Sequence, residues 1–265
     1  MTDTREQAQA VAPPSPTELI VSVAARALAG KNRVFAGVGL PTLAVDLAQR
    51  TVTPDIELVY ESGVCGAHPT SMPEGIADSV VVAGAEAVVG MQTLFGYVLQ
   101  GGYVEVGFLG AAQIDRYGSI NTSFIGDWRK PTVRLPGAGG ATEIMLNASE
   151  IFVIMRRHDH GSFPENLDFC TSPSPVRAHR SGRGSMPRGM GVSHVFTPLG
   201  VLRRSDAFAE LELASVHAGF TVDDVLAATA WDLRVAADVH VTASPDSEEI
   251  RLLRDEIDKV RLYLR

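Results

Sequence analysis

The sequence predicts an α/β fold, an open sheet of mixed or parallel strands flanked by helices, and three observations carry that expectation. Twenty-five glycines against 6% aromatics, with abundant Val and Ala, suit tight strand-to-helix turns better than a helical bundle. Between Arg33 and Tyr60 a strand, a glycine turn, a segment of helical period and a second strand follow in the order of a βαβ unit. Short apolar runs then recur to residue 197, interrupted by two further helical segments.

The elements follow in order. Residues 1–14 carry Thr, Gln, Ala and Pro without periodicity and are expected to be a flexible leader, with the folded domain spanning 15–265. Ser15-Pro16-Thr17-Glu18 places a hydroxyl at an N-cap, proline in the first turn and a carboxylate three residues on, so a helix starts here and runs to about Leu28. Leu19, Ile20, Val23, Ala24 and Ala27 form its buried stripe, and Gly30 ends it. Arg33 to Ala36 is a strand that enters the turn Gly37-Val38-Gly39, Thr42 to Arg50 is helical, and Ile56 to Tyr60 is the strand that ends at Glu61. Further strands are expected over Val80–Ala83, Val104–Leu109, Ile120–Ile125, Ile151–Met155 and Val192–Thr197, with helices near Val88–Leu99 and Ala141–Ala148. Residues 172–191 form a long loop with five basic side chains, Arg177, His179, Arg180, Arg183 and Arg188. From Asp246 to Arg265 a charged amphipathic helix is expected, capped by Asp246 and Glu249, with Asp255 and Lys259 paired one turn apart.

Composition narrows the function classes. The formal net charge of −8 argues against nucleic acid as a partner, because phosphate binding is driven by clustered Lys and Arg. The most apolar stretch, Ser79 to Val89, is broken by Glu86 and falls short of a membrane span. Two cysteines, Cys65 and Cys170, form no disulfide framework, and the polar N-terminus lacks the apolar core of a signal peptide, so a reducing cytoplasm is expected.

Three segments could carry chemistry. Glu61-Ser62-Gly63 sets a carboxylate beyond a strand end, where ligands of such sheets sit, with small neighbours that leave space. Taken alone, it reads better as a solvated strand-end glutamate. Gly137-Ala138-Gly139-Gly140-Ala141 is a glycine turn opening a helix, whose free amides can hold an oxyanion, or which allows close helix-to-strand packing. It matches neither the dinucleotide fingerprint nor the P-loop. Gly110-Ala111-Ala112-Gln113-Ile114-Asp115, running on to Gly118, is a strand end that leads into a turn. His158-Asp159-His160 lacks a third ligand at a useful spacing, so it reads as an exposed cluster and no metal is expected.

In this order, and joined by Ile151 to His158 and by Asp168-Phe169-Cys170-Thr171-Ser172-Pro173, these segments resemble family I coenzyme A transferases, specifically β subunits of the glutaconate type. The resemblance extends over about residues 17–260. It implies the CoA-transferase fold, Glu61 as the covalent nucleophile, and Gly139 and Gly140, with Gly137, as the oxyanion and CoA turn. Ser62, Gly63 and Gln113 are the candidate substrate pocket. It also implies a homologous α subunit on a separate chain, acyl-CoA and a carboxylic acid as substrates, CoA as co-substrate with no bound cofactor, and a short dicarboxylate or 3-oxo acid. Relatives that decarboxylate CoA esters carry Cys in place of that Glu, and steroid ring-opening relatives also lack it, so Glu61 favours transfer over those activities without excluding thioester hydrolysis; an acyl-CoA hydrolase or decarboxylase on the same scaffold is the enzymatic alternative. The nearby Cys65 reads as a small buried thiol. A ligand-sensing module on a related fold is the non-enzymatic alternative, and it would need a DNA-binding unit that the acidic leader does not supply. Chemistry agrees with transfer: a glutamate carboxylate, ordinarily ionised above about pH 4.3, attacks a thioester without a general base.

Overall fold

The computed structural model describes residues 12–180 and 188–264. The capping box forms as the sequence predicts: Ser15 Oγ accepts from the Glu18 amide at 3.2 Å, Glu18 accepts from the Ser15 amide at 2.7 Å, and α1 runs Pro16–Arg26. Most of the leader lies outside the described residues, while the Ala12 and Pro13 carbonyls accept hydrogen bonds from Arg254.

Next come β1 (Arg33–Phe35), α2 (Leu40–Arg50), β2 (Glu57–Val59), β3 (Val64–Cys65) and β4 (Ala87–Val88). Helix α3 (Met91–Thr93) continues as a π-helical stretch, Leu94–Leu99. Then follow β5 (Val106–Gly110), β6 (Gln113–Ile114), β7 (Ile120–Asn121), β8 (Phe124–Asp127), β9 (Lys130–Arg134), α4 (Ala141–Asn147) and β10 (Glu150–Ile154). The remainder is α5 (Pro175–Arg180), β11 (Val192–Phe196), β12 (Gly200–Arg204), β13 (Leu211–Val216), α6 (Val222–Ala228), β14 (Arg234–Val241) and α7 (Ser247–Arg251), which continues as a π-helical stretch, Leu252–Ile257.

Ten strands form one mixed sheet in the order β14-β13-β12-β11-β10-β5-β1-β2-β3-β4. Its centre, β11-β10-β5-β1-β2, is parallel throughout. Alternate residues of each central strand serve opposite faces. Val34, Leu58, Phe108 and Phe152 pack with α1 and α2, whereas Phe35, Val59, Leu109 and Val153 pack with Leu94 and Leu99 and with Ile144 and Met145 of α4. Both faces are therefore covered. The β1-to-β2 crossover uses one face and the β5-to-β10 crossover the other, so right-handed connections carry the chain in opposite directions along the sheet. In sheets of this kind ligands sit where the direction reverses, here beyond the carboxyl ends of β1 and β5.

Four expectations need correction. Val80–Ala83 is no strand: Ser79–Val82 is a 3-10 turn, because Asp78 accepts from the Val80 amide at 3.0 Å and diverts the backbone from a ladder. Ile120–Ile125 divides into β7 and β8, because the Asn121 side chain donates to the Phe124 carbonyl and accepts from the Ser123 amide, bending the chain between them. Residues 172–191 are not wholly loop, since α5 occupies 175–180, although 181–187, which include Arg183, lie outside the described residues. The C-terminal helix ends at Ile257, short of Lys259, where the Asp258 carboxylate takes the amides of Leu262, Tyr263 and Leu264 into a separate turn. Residues 198–245, for which periodicity offers no assignment, hold β12, β13, α6 and β14.

Candidate active site

Glu61 stands two residues past β2, on a turn closed by the Gly63 amide, which donates to the Tyr60 carbonyl at 3.0 Å. The turn joins β2 to β3 as an antiparallel pair, with Val59 opposite Cys65. Gly63 is required there for two reasons. Its φ is +97°, and a Cβ would stand 1.9 Å from the Val89 carbonyl oxygen. That close approach is fixed by the Val89 amide, which donates to the Gly63 carbonyl at 2.9 Å. The segment after edge strand β4 thus clamps the turn that presents Glu61.

The glycine turn meets this carboxylate. Gly140 donates its amide to Glu61 Oε1 at 3.1 Å, joining two segments separated by 79 residues. The turn reaches this position through two glycines with positive φ, Gly137 at +100° and Gly139 at +48°, and the Gly137 amide anchors it on the Thr122 carbonyl at 2.8 Å. Gly140 has an ordinary φ, so its need for a bare Cα is spatial: a Cβ would lie 2.7 Å from the Phe95 ring and 3.1 Å from Glu61 Oε1. Phe95 belongs to the π-helical stretch after α3 and packs edge-on against Phe35 at 5.9 Å. Sequence reasoning missed Phe95, since an aromatic in an apolar segment carries no signal that separates a site wall from core.

A cavity of about 420 Å³ lies against the same turn, walled by Gly110, Ala111, Ala112, Leu135, Gly137 and Ala138, among others. Glu61 is not in its wall; Gly139 and Gly140, which sit in the chain between the wall residues Ala138 and Ala141, reach it through the Gly140 amide. Ser62 Oγ, next to Glu61, and Thr122 Oγ1, at the cavity, are both buried without a hydrogen-bond partner.

Gln113, at 3% exposure, has an inward role. Its amide nitrogen donates to the Gly161 carbonyl and the Asp168 carboxylate, and its oxygen accepts from Asn121 and the Asp168 amide. Asp115 is buried and accepts from the Tyr117 and Ser119 amides and from Arg177, so one arginine of the basic segment is structural. Burial pushes the Cys65 thiol up, away from the thiolate form. His158 departs from the expected exposed cluster: it is buried between Thr197 and Thr229, at 2.9 and 3.1 Å, and stacks on Phe163. Burial pushes its pKa down to about 4. Among the described residues no group of three His, Cys, Asp or Glu side chains is placed to hold a metal ion.

Known proteins share this plan. The family model described as coenzyme A transferase matches residues 17–228. The β subunit of 3-oxoadipate CoA-transferase from Pseudomonas knackmussii is 42% identical over 242 residues, 91% of this chain and 92% of that protein. The β subunit of glutaconate CoA-transferase from Acidaminococcus fermentans is 31% identical over 240 residues, 87% of this chain and 88% of that protein. The crystal structure of glutaconate coenzyme A-transferase from the same organism matches with a TM-score of 0.85 at 28% identity, covering 95% of this chain and 97% of that one.

Proposed function

The chain belongs to the coenzyme A transferase family, and from that premise we propose that it is the β-type subunit of a two-chain enzyme that moves CoA from an acyl-CoA to a carboxylic acid through a glutamyl-CoA thioester at Glu61. The observation that carries this reading is the 3.1 Å hydrogen bond from the Gly140 amide to Glu61 Oε1. It leaves Oε2 as the attacking oxygen. Attack on the thioester carbonyl carbon expels CoA thiolate and forms a mixed anhydride between the acyl group and Glu61. The thiolate then attacks the glutamyl carbonyl carbon, and in that tetrahedral intermediate the negative charge falls on Oε1, the atom at which Gly140 is aimed. Collapse releases the first acid and leaves CoA on Glu61. A second carboxylate attacks the new thioester, and the same steps run in reverse. Each activated bond replaces another, so no ATP enters.

Ser62 and Gly63 leave space beside the carboxylate, and Gly137 and Gly139 shape the turn that carries the Gly140 donor. Gln113 acts one layer behind, joining the segments around Asn121 and Asp168. CoA is a co-substrate here, with no resident cofactor. The α subunit has a surface to meet: Val88 on β4 and Met91 and Tyr97 on or after α3 are exposed apolar side chains on the elements that abut the Glu61 turn. A reducing cytoplasm suits the free Cys65 and Cys170, and among the described residues no helix is long and apolar enough to cross a membrane.

The test uses the co-expressed α/β complex. Borohydride added with an acyl-CoA should reduce the Glu61 thioester to an alcohol, seen by peptide mass, and Glu61→Gln should lose both trapping and exchange while keeping its melting temperature. Isolated β chain should not turn over. Exchange retained by Glu61→Gln, or an unmodified Glu61 alongside an acylated Cys65, would overturn the assignment.

A further inference from the structure

We infer that the Phe95 ring decides which acceptor takes the CoA from Glu61: it closes one flank of the glutamyl-CoA thioester to water, so that the thioester waits for a carboxylate. The inference rests on the reading of Glu61 above and names the residue that separates transfer from hydrolysis at that site.

The direction in which a side chain at Gly140 would project is already filled. A Cβ there would stand 2.7 Å from Phe95 Cζ, 2.8 Å from Phe95 Cε1 and 3.1 Å from Glu61 Oε1. A water oxygen keeps about 3.3 Å or more from carbon, so none fits between the Gly140 backbone, the ring and Oε1. The ring edge and the Gly140 amide thus converge on one carboxylate oxygen, the first closing the space and the second supplying the 3.1 Å hydrogen bond.

Backbone register puts the ring there. The Gln100 amide donates to the Phe95 carbonyl at 2.9 Å, a bond across five residues, and Leu94 and Leu99, also five apart, are both fully buried. In an α-helix residues five apart point to different sides, whereas the wider π turn brings them onto one face. With that face sunk into the core, the next residue, Phe95, falls on its margin, half-buried and edge-on to Phe35. Phe35 ends β1 opposite Val59 of β2, the strand that leads to Glu61. The Gln100 side chain donates to Glu143 of α4 at 3.2 Å, which ties the stretch carrying Phe95 to the helix that the Gly140 turn opens.

The chemistry needs such a wall. Water adding to the glutamyl carbonyl carbon would break the C–S bond and return Glu61 as a carboxylate carrying one water oxygen. CoA would leave as the thiol, with one proton of the water, and the other proton would pass to solvent. That reaction discards the activation that transfer conserves. Removing the ring leaves a space bordered by Glu61 Oε1 and open on the side where Phe95 is exposed. A phenyl ring vacates more than the about 30 Å³ that one water occupies, and a polar border lets water stay there. The ring therefore keeps dry the flank on which the thioester would otherwise be hydrolysed.

The experiment uses the α/β complex and its Phe95→Leu and Phe95→Ala variants. Each is loaded with whichever of acetyl-, butyryl- and succinyl-CoA gives most borohydride-trapped Glu61, then freed of donor and acid by gel filtration. Two rates are read on the loaded enzyme: release of free CoA in oxygen-18 water without acceptor, and consumption of the thioester by the acid that matches the donor. The ratio of the first to the second should rise at least about tenfold in Phe95→Ala and less in Phe95→Leu, with one oxygen-18 atom entering the Glu61 peptide. Melting temperatures identify the folded variants, and the milder Phe95→Leu carries the test if the larger truncation unfolds. An unchanged ratio in the folded variants, with both rates lowered together or not at all, overturns the inference and leaves the ring a packing element. So does a faster release of CoA that leaves Glu61 without oxygen-18. A wild-type complex that traps no CoA on Glu61 overturns instead the reading of Glu61 on which the inference stands.

Discussion

Replacing Gly140 by Ala should slow formation of the glutamyl-CoA thioester by about 10- to 150-fold without unfolding the protein. The backbone tolerates alanine, since φ at Gly140 is −84°. Space does not: the new methyl would lie 2.7 Å from Phe95 Cζ and 3.1 Å from Glu61 Oε1, and the first distance requires the ring or the turn to move. The turn is the part that carries the amide. Moving it away lengthens the 3.1 Å bond to Oε1, and a hydrogen bond to a charged oxygen is worth about 1.5–3 kcal/mol, or about 10- to 150-fold in rate when the charge is that of a transition state. Complete removal of an oxyanion donor costs somewhat more, about 2.7–4 kcal/mol. The assay is single-turnover mass analysis of Glu61 in the α/β complex, with melting temperature as the control. Phe95→Leu in the Gly140→Ala background should recover part of the rate by letting the methyl in. A Gly140→Ala enzyme with wild-type single-turnover kinetics, or a double variant no faster than the single, would refute the reasoning.

Other perturbations follow from the same contacts. Gly63→Ala should destabilise the chain by at least about 2 kcal/mol in urea unfolding, because positive φ and the contact with the Val89 carbonyl act together; a variant within about 0.5 kcal/mol of wild type, the spread of a bland surface change, would show that β4 yields. Cys65→Ala should retain most activity, and iodoacetamide should modify exposed Cys170 ahead of buried Cys65, as peptide mass would report. Burial lowers the His158 pKa to about 4, so below the unfolded-state value of about 6.5 the unfolded chain takes up a proton that the folded chain refuses. Its contribution should weaken by about 2 kcal/mol between pH 7 and pH 5, and His158→Gln should lack that share of the pH dependence in urea titrations.

The parts of this molecule that are legible in its sequence are those fixed by local chemistry. The Ser15/Glu18 box, the βαβ unit through Tyr60 and the strand-end position of Glu61 depend on neighbours within a few residues, and all appear in the structure. The apparent strand at Val80 fails because apolarity alone does not determine backbone path, and a nearby Asp78 offers the amides a closer acceptor. Strands β12 to β14 escape notice because β14 is largely exposed and its partner β13 is paired to it in a parallel, bulged register, which blurs the alternation. At the site, each glycine turn is readable, but their meeting is not: 79 residues separate Gly140 from Glu61, and the wall that Phe95 provides follows from a π-helical register that no short pattern encodes.

Glu61 is held in place almost entirely by main chain. The turn beneath it closes through the amide of Gly63, the segment after β4 secures that turn through Val89, and among the described residues the one hydrogen bond to the carboxylate comes from the Gly140 amide. The first two of these attachments are blind to the side chain at position 61, and only the Gly140 amide touches it. The scaffold therefore behaves as an interchangeable socket, in which a different nucleophile or a small inert residue could be installed with the surrounding architecture intact, so a family built on this plan can diversify its chemistry one residue at a time.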